Sequence, residues 1–288
     1  MRVLVTGGAG VVGKALCREL YSRGVCVRVL TLPGDALAKE LPPYVEVFYG
    51  DVTDYASIRP AFDGVDSVFH LAAILLSTEV SAFERINACG TRNVVSACQD
   101  SGVRRLLYVS SISVTYPILT PYGASKLAGE TCVKDSGLSW TIVRPTLVIG
   151  DGGGVEFNMF ARYVKKFPVC ILPGGGVCRK RPVRSVDLVK GIASAGLSEK
   201  AVFKTYALAG LETLTMAEMA ARIAASAGKC RKVVPAPWWI VKRLASLKNW
   251  IGGRRVSAEQ ALAGFLYDAV PDISDAERDL GYKPEKAL

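Results

Sequence analysis

The stretch Thr6-Gly7-Gly8-Ala9-Gly10-Val11-Val12-Gly13 constrains this chain more than any other. It follows a short apolar run, Val3-Leu4-Val5, and opens a segment in which Val12, Leu16 and Leu20 recur at helical spacing. A strand that turns through glycines straight into a helix commits the chain to a βαβ beginning. Glycines at 7, 10 and 13 let the backbone turn tightly, approach a pyrophosphate, and pack helix against strand. The unpaired N–H groups at the start of the helix attract negative charge. Gly7, Gly10, Val11, Val12 and Gly13 are therefore candidate contacts to a dinucleotide.

Beyond this loop the first half alternates strand and helix. Strands are expected at residues 25–30, 45–49, 67–71, 106–110 and 139–149, and helices at 82–101 and 122–136. Apolar runs of this length, alternating with helical segments, indicate a doubly wound parallel Rossmann sheet of the α/β class. Right-handed crossovers then put the ligand crevice at the carboxyl ends of the strands. After Gly150 the texture changes. Asp151-Gly152-Gly153-Gly154 is a break, a helix is expected over 156–166, and Pro173-Gly174-Gly175-Gly176 is a turn. Residues 183–196 read as a strand end and helix returning to the main body, and 206–209 as another short strand. The remainder reads as helical, with Thr215 and Glu218 spaced as a capping box. The expected division is a dinucleotide-binding domain at 1–150 with 183–210 returning to it. A smaller, discontinuous, mainly helical substrate lobe takes 151–182 and 211–288.

Composition narrows the chemistry. A single histidine, His70, excludes a metal site built on two histidines, and no G-x-S-x-G elbow accompanies it. No metal is expected. The eight cysteines contain no C-x-x-C pair, and several, Cys26 among them, sit in apolar contexts that suit small buried thiols of a reducing cytosol. The formal charge of +10 favours anionic partners, but the basic residues are scattered and no nucleic-acid motif appears. The apolar start is too short for a signal peptide and no window spans a membrane, so the expectation is a cytoplasmic protein acting on a small molecule.

Tyr122-Gly-Ala-Ser-Lys126 places a phenol and an ammonium one helical turn apart on one face. A tyrosine near its ordinary pKa of ~10 is a poor base at neutral pH. A nearby ammonium stabilises the phenolate, which lets the tyrosine exchange a proton with an alcohol or ketone. The pair begins the helix after the fifth strand, with Tyr122 eleven residues past Ser111 of the serine cluster Ser110-Ser111-Ile112-Ser113.

Together these features resemble the extended short-chain dehydrogenase/reductases, the family of NAD-dependent epimerases and dehydratases. The resemblance rests on the Gly-x-x-Gly-x-x-Gly loop, Gly50-Asp51-Val52, Val68-Phe69-His70-Leu71-Ala72-Ala73, and Asn87-x-x-Gly90-Thr91-x-Asn93. Tyr122/Lys126, Arg144-Pro145 with Gly150, and Val186-Asp187 complete it. It implies a hydride-transferring enzyme with Tyr122 as acid/base and Lys126 tuning it while holding the nicotinamide ribose. It implies Ser111 on the substrate oxygen, with Ser110 and Ser113 left open for that role. Asp51 and Val52 would lie at the adenine, Thr31 near its ribose, Leu71, Ala72 and Ala73 beside the phosphates and ribose, and Pro145 near the nicotinamide. A homodimer built on the helix that contains Tyr122 is a further implication.

The finer readings stay open. The tip of the second strand, Leu30-Thr31-Leu32-Pro33, shows neither acid nor base, and Asp35 comes late, which tilts the cofactor from NAD towards NADP. Ile112-Ser113 stands where dehydratases carry Asp-Glu, so the expected chemistry is a nucleotide-sugar epimerase or reductase. The basic run Arg179-Lys180-Arg181 with Arg184 would meet a diphosphate or form a solvated loop. The alternative is reduction of a hydrophobic ketone of hydroxysteroid or flavonol type under an amphipathic lid at 235–251. That same segment also reads as a packed helix or a peripheral membrane contact. The rival of another class is a non-catalytic NAD(P)-binding sensor or assembly factor.

Overall fold

The computed structural model describes residues 1–150, 154–240, 243, 264 and 266–287. The first half contributes β1 (Arg2–Thr6), β2 (Cys26–Thr31), β3 (Glu46–Tyr49), β4 (Ser67–His70), β5 (Arg105–Val109) and β6 (Ser139–Pro145). Short strands follow: β7 (Val148–Ile149), β8 (Val169–Pro173), β9 (Arg179–Lys180) and β10 (Val183–Arg184). The last three are β11 (Lys204–Leu208), β12 (Leu214–Thr215) and β13 (Lys232–Ala236). Seven of them form one sheet in the order β11-β6-β5-β4-β1-β2-β3. Every pairing in it is parallel.

The strands are buried on both faces, and period-two alternation sorts their side chains. Val3, Val5, Val29, Phe69, Leu107 and Val143 point to one core, with Leu16 and Leu20 of helix Val11–Ser22 and Ile192 of helix Ser185–Leu197. Leu4, Leu30, Val68, Leu106, Tyr108 and Ile142 point to the other, with Val94 and Cys98 of helix Gly90–Asp100 and Val133 of helix Pro121–Lys134. Two cores on opposite faces make the sheet doubly wound, as the apolar strands require. The strand order reverses between β1 and β4, so the crevice opens at their carboxyl ends.

Several local expectations change in three dimensions. The expected strand 139–149 divides after Pro145: Thr146 N donates to Leu208 O, and β7 leaves the main sheet to pair with β10. The expected helix at 82–101 contains a π segment, Glu84–Cys89, between Ser81–Phe83 and Gly90–Asp100. The region after 211 is not helical throughout. Helix Met216–Ser226 begins at the Thr215/Glu218 capping box, but β12 pairs with β9 and β13 with β8. Each of these short strands takes its partner from a distant segment, so local periodicity does not reveal it. A third core, around Phe160, Val164, Leu172, Met216, Met219 and Ile223, lies in this part of the chain. Cys26 is exposed at the start of β2 although Val25 and Val27 beside it are buried, and all eight cysteines are free. No described helix is long and apolar enough to cross a membrane.

A directional hydrogen-bond chain fixes the switch point. Ala72 N donates to Thr6 Oγ1 at 3.2 Å, and Thr6 Oγ1 lies 2.6 Å from His70 Nδ1. On the other side His70 Nε2 is 3.0 Å from Thr91 Oγ1, which itself donates to Asn87 O at 2.6 Å. Thr91 has spent its proton, so Nε2 must be the donor and Nδ1 the acceptor from Thr6. The ring is neutral, and full burial together with the Lys126 charge pushes its pKa down to about 3. A second tie joins helix Pro121–Lys134 to β6. Arg144 donates to both oxygens of Glu130, at 2.8 and 2.6 Å, and the Glu130 side chain has no exposure. Burial raises the Glu130 carboxyl, but the hydrogen bonds and charge of Arg144, with the charge of Lys134, outweigh it and hold the group below its ordinary range.

Two stability predictions follow. A histidine whose folded pKa is depressed contributes fully above its unfolded pKa, and that contribution is lost as pH falls towards the folded value. His70 should therefore cost about 1.4 kcal/mol per pH unit below ~6.5. The stability gap between wild type and His70→Gln, measured by urea unfolding, should shrink by about 2 kcal/mol between pH 7 and 5; a constant gap would mean that His70 charges freely in the fold. Arg144→Ala leaves a buried carboxylate unpaired and should cost about 3 kcal/mol. The double variant Arg144→Met/Glu130→Gln should recover most of that loss in the same measurement.

Candidate active site

The glycine loop sits at the carboxyl end of β1 and is shaped by contacts only glycine tolerates. Gly7 has φ +69°, and a Cβ there would lie 2.8 Å from Ala72 N. A Cβ on Gly13 would lie 2.3 Å from Gly7 O. Gly10 caps helix Val11–Ser22 without a side chain, which leaves the first-turn N–H groups of Val11, Val12 and Gly13 to an outside acceptor. Leu71, Ala72 and Ala73 continue from β4 alongside this loop, so the two backbones form a cradle that a side chain would fill. The residues present thus fit a dinucleotide pyrophosphate.

The flanking loops are pinned by amides. Asn87, buried within the π segment, donates to Ile74 O at 3.0 Å and accepts from Ile74 N at 2.8 Å, which fixes the chain just past Ala73. Asn93 donates to Val52 O at 2.8 Å, and a Cβ on Gly90 would lie 2.8 Å from Val52 Cγ2. Asp51 accepts from Thr53 N at 2.9 Å, so part of its carboxylate shapes its own turn. At the tip of β2 the fold alters the linear reading. The chain turns at Pro33-Gly34, and Thr31 Oγ1 donates to Asp35 Oδ2 at 2.7 Å. An acid therefore does stand at that tip. The signal lay in the turn residues between Thr31 and Asp35.

Helix Pro121–Lys134 starts with Pro121 at its first position, and Thr120 Oγ1 accepts from Gly123 N at 3.0 Å. This cap aims Tyr122 into the crevice, its ring edge-on to Phe83. Lys126 is buried, and its Nζ lies 4.1 Å from the centroid of the Tyr108 ring. Burial, partly offset by Glu130, brings the Lys126 pKa down to about 7. The Tyr122 phenol is held above its ordinary range by burial and by the Glu156 charge, with the Ser111 hydroxyl acting the other way.

The three candidate serines separate. Ser110 is buried behind the site on the Glu130 side. Ser113 donates to Ser111 Oγ from its hydroxyl at 2.9 Å and from its backbone N–H at 3.2 Å. Two donors occupy the Ser111 oxygen, which leaves its own proton to be given away. Ser111, Tyr122 and Pro145 line one pocket, whose apolar wall includes Leu75, Leu147, Phe157, Phe160 and Met216. Glu156 and Lys180 face the same space; nothing in the local sequence distinguishes Glu156 from an ordinary first-turn acid.

The basic run is consumed inside the protein. Arg179 pairs with Asp268 at 2.8 Å, and Lys180 donates to Tyr267 O and to the Tyr116 hydroxyl. Arg181 donates to Gly210 O and Pro271 O, and Arg184 binds Asp187 and Glu285. Of the expected lid at 235–251, residues 241, 242 and 244–251 lie outside the described residues, as do 151–153.

Comparison with known proteins agrees with this geometry. Residues 3–195 match the model of the NAD dependent epimerase/dehydratase family. The chain is 31% identical over 98% of its length to a 3 beta-hydroxysteroid dehydrogenase/Delta 5-->4-isomerase of Mycobacterium tuberculosis, covering 86% of that protein. It is 28% identical over its whole length to a 2-alkyl-3-oxoalkanoate reductase of Stenotrophomonas maltophilia, covering 96% of it. Among solved structures, the Thermus thermophilus UDP-glucose 4-epimerase in complex with NAD superposes with a TM-score of 0.75 at 27% identity, over 99% of this chain and 94% of that one. With its glycine cradle, its Tyr122/Lys126 helix and a family match over two-thirds of its length, the chain belongs to the NAD-dependent epimerase/dehydratase family of extended short-chain dehydrogenase/reductases.

Proposed function

We propose that this enzyme moves a hydride at a secondary alcohol or ketone whose carbon skeleton is largely apolar, with Tyr122, Ser111 and Lys126 as its catalytic residues. The observation that carries this reading is the pocket itself. Leu75, Leu147, Phe157, Phe160 and Met216 form an apolar wall facing Tyr122, and the arginines of the nearby basic run are engaged by partners within the chain. A nucleoside diphosphate needs charge-assisted donors, so the geometry favours the hydrophobic ketone over the nucleotide sugar. The names of the steroid dehydrogenase and the oxoalkanoate reductase among the relatives support that class.

When bound, the nicotinamide supplies or accepts the hydride. The protein's own residues manage the oxygen and its proton. Ser111, its oxygen already accepting twice from Ser113, donates its proton to the substrate oxygen and orients it. Tyr122 is protonated in the site as it stands, which suits it to deliver a proton to a ketone oxygen as negative charge builds there. Lys126, near neutrality in its titration, is poised to stabilise the phenolate left behind and to meet the ribose hydroxyls. Residues 151–182 and 211–288 act as the substrate lobe over the Rossmann body at 1–150 and 183–210. We read the cofactor as NAD, because the Asp35 carboxylate held at Thr31 accepts from a ribose hydroxyl and repels a phosphate.

Tyr122→Phe should lower kcat/KM for a hydrophobic ketone such as dihydrotestosterone by about 10²–10⁴-fold, while the cofactor Kd measured by fluorescence changes less than about threefold; undiminished turnover would remove Tyr122 from the chemistry. Asp35→Ala should reduce the preference for NAD over NADP by about tenfold, a shift of ~1.4 kcal/mol, measured as the ratio of the two Kd values. An unchanged ratio would show that Asp35 serves only its turn.

A further inference from the structure

One carboxylate in the pocket has no part in hydride transfer. Glu156, in the first turn of helix Val155–Lys166, lines the same space as Ser111 and Tyr122. The residue is exposed, and its charge reaches both Tyr122 and Tyr116. Lys180 lines the pocket with it and is 3% exposed. That ammonium is held by the Tyr267 carbonyl and the Tyr116 hydroxyl, with its Nζ 5.1 Å from the Tyr116 ring centroid.

A first-turn acid ordinarily serves its helix dipole and faces solvent. Here burial raises the Glu156 carboxyl, with Lys180 opposing that rise, so the group sits nearer to the range in which a carboxylate exchanges protons. A buried lysine is costly to keep without a purpose. Its position gives Glu156 a cation that favours its ionised form without neutralising it through direct contact. Around Tyr122 there are thus two proton-handling groups of different kind on one substrate cavity.

We propose that Glu156 is a catalytic base and acid for carbon, acting on the C–H next to the carbonyl that Ser111 and Tyr122 hold, with Lys180 as its positioning residue. The inference rests on the reading of Ser111 and Tyr122 as the oxygen site. The Glu156 carboxylate takes the α-proton, and the C–H electron pair becomes the carbon–carbon double bond of an enolate. The carbonyl oxygen takes the charge against the Ser111 and Tyr122 hydroxyls. Collapse of the enolate returns the proton from Glu156 to the same carbon, or to the γ-carbon where a β,γ-double bond is present. No oxidant or reductant is consumed. The substrate class is therefore an enolisable ketone, and the activity is a proton relocation separate from hydride transfer.

The experiment incubates the full-length protein, saturated with NAD⁺ so that no ketone is reduced, with dihydrotestosterone in D₂O and follows deuterium uptake by mass spectrometry. Exchange above the buffer rate that falls at least tenfold in Glu156→Gln, and is partly regained in Glu156→Asp, supports the proposal. Exchange at the buffer rate, or exchange unaffected by Glu156→Gln, overturns it. Folding of each variant is checked by its unfolding midpoint, and Glu156→Gln is isosteric and accessible. A parallel assay of the same ketone with NADH separates the two readings. Reduction without exchange overturns the role of Glu156 and leaves Tyr122 in place; exchange without reduction does the reverse.

Discussion

The reversal of strand order between β1 and β4 is held by one neutral imidazole. His70 accepts from Thr6 at the end of β1 and donates to Thr91 on the far helix, while Thr6 also accepts from Ala72. Strand end, following loop and helix are fixed by a single set of proton positions. Replace any member and a buried donor or acceptor is left without a partner, at a cost of about 1–3 kcal/mol. The glycine cradle depends on this. Gly7 passes within a Cβ's distance of Ala72, and Ala72 is where His70 and Thr6 place it. Asn87, within the π segment Glu84–Cys89, extends the same restraint to Ile74.

Burial, more than charge pairing, then sets the protonation of the site. His70, Lys126 and Tyr122 all shift towards their neutral forms, chiefly because burial removes each from water. Lys126 retains cationic character through Glu130 and the Tyr108 ring, and Glu130 stays ionised through Arg144. The order Arg144, Glu130, Lys126 carries charge from the edge of β6 to the face of the catalytic helix.

Much of the architecture was legible because its signals are local. Val3-Leu4-Val5 before a glycine loop, and apolar strands with no polar face, specify a parallel sheet without knowledge of partners. The Thr215/Glu218 box likewise marks a helix start at its true position. What escaped depends on distant residues. β13 is strand only because β8 lies beside it, and the strand expected at 139–149 breaks because β7 finds β10. Tyr122 and Lys126 fall on one helix as their spacing requires, with Tyr122 lining the pocket and Lys126 buried against the Tyr108 ring. Asp35 was misplaced, because a turn brings it back to Thr31 across a gap that linear counting treats as distance. Glu156 gave no sign at all; only the cavity distinguishes it.

The fate of the basic run shows why composition misleads about ligands. A net charge of +10 and four basic residues between 179 and 184 suggest an anion site. In the fold each finds a nearer partner: Asp268, the Tyr267 carbonyl, the Gly210 and Pro271 carbonyls, and the Asp187–Glu285 pair. These bonds stitch residues 266–287 onto the middle of the chain, a structural task that needs guanidinium geometry as much as a phosphate would. A guanidinium already forked onto a carboxylate has little left for a diphosphate, and freeing it would leave the carboxylate unpaired. The polar lining of the pocket comes instead from hydroxyls, those of Ser111, Ser113, Thr120, Tyr122 and Thr146 among them, with Glu156 and Lys180. The cation in that lining, Lys180, is itself already held by the Tyr267 carbonyl and the Tyr116 hydroxyl.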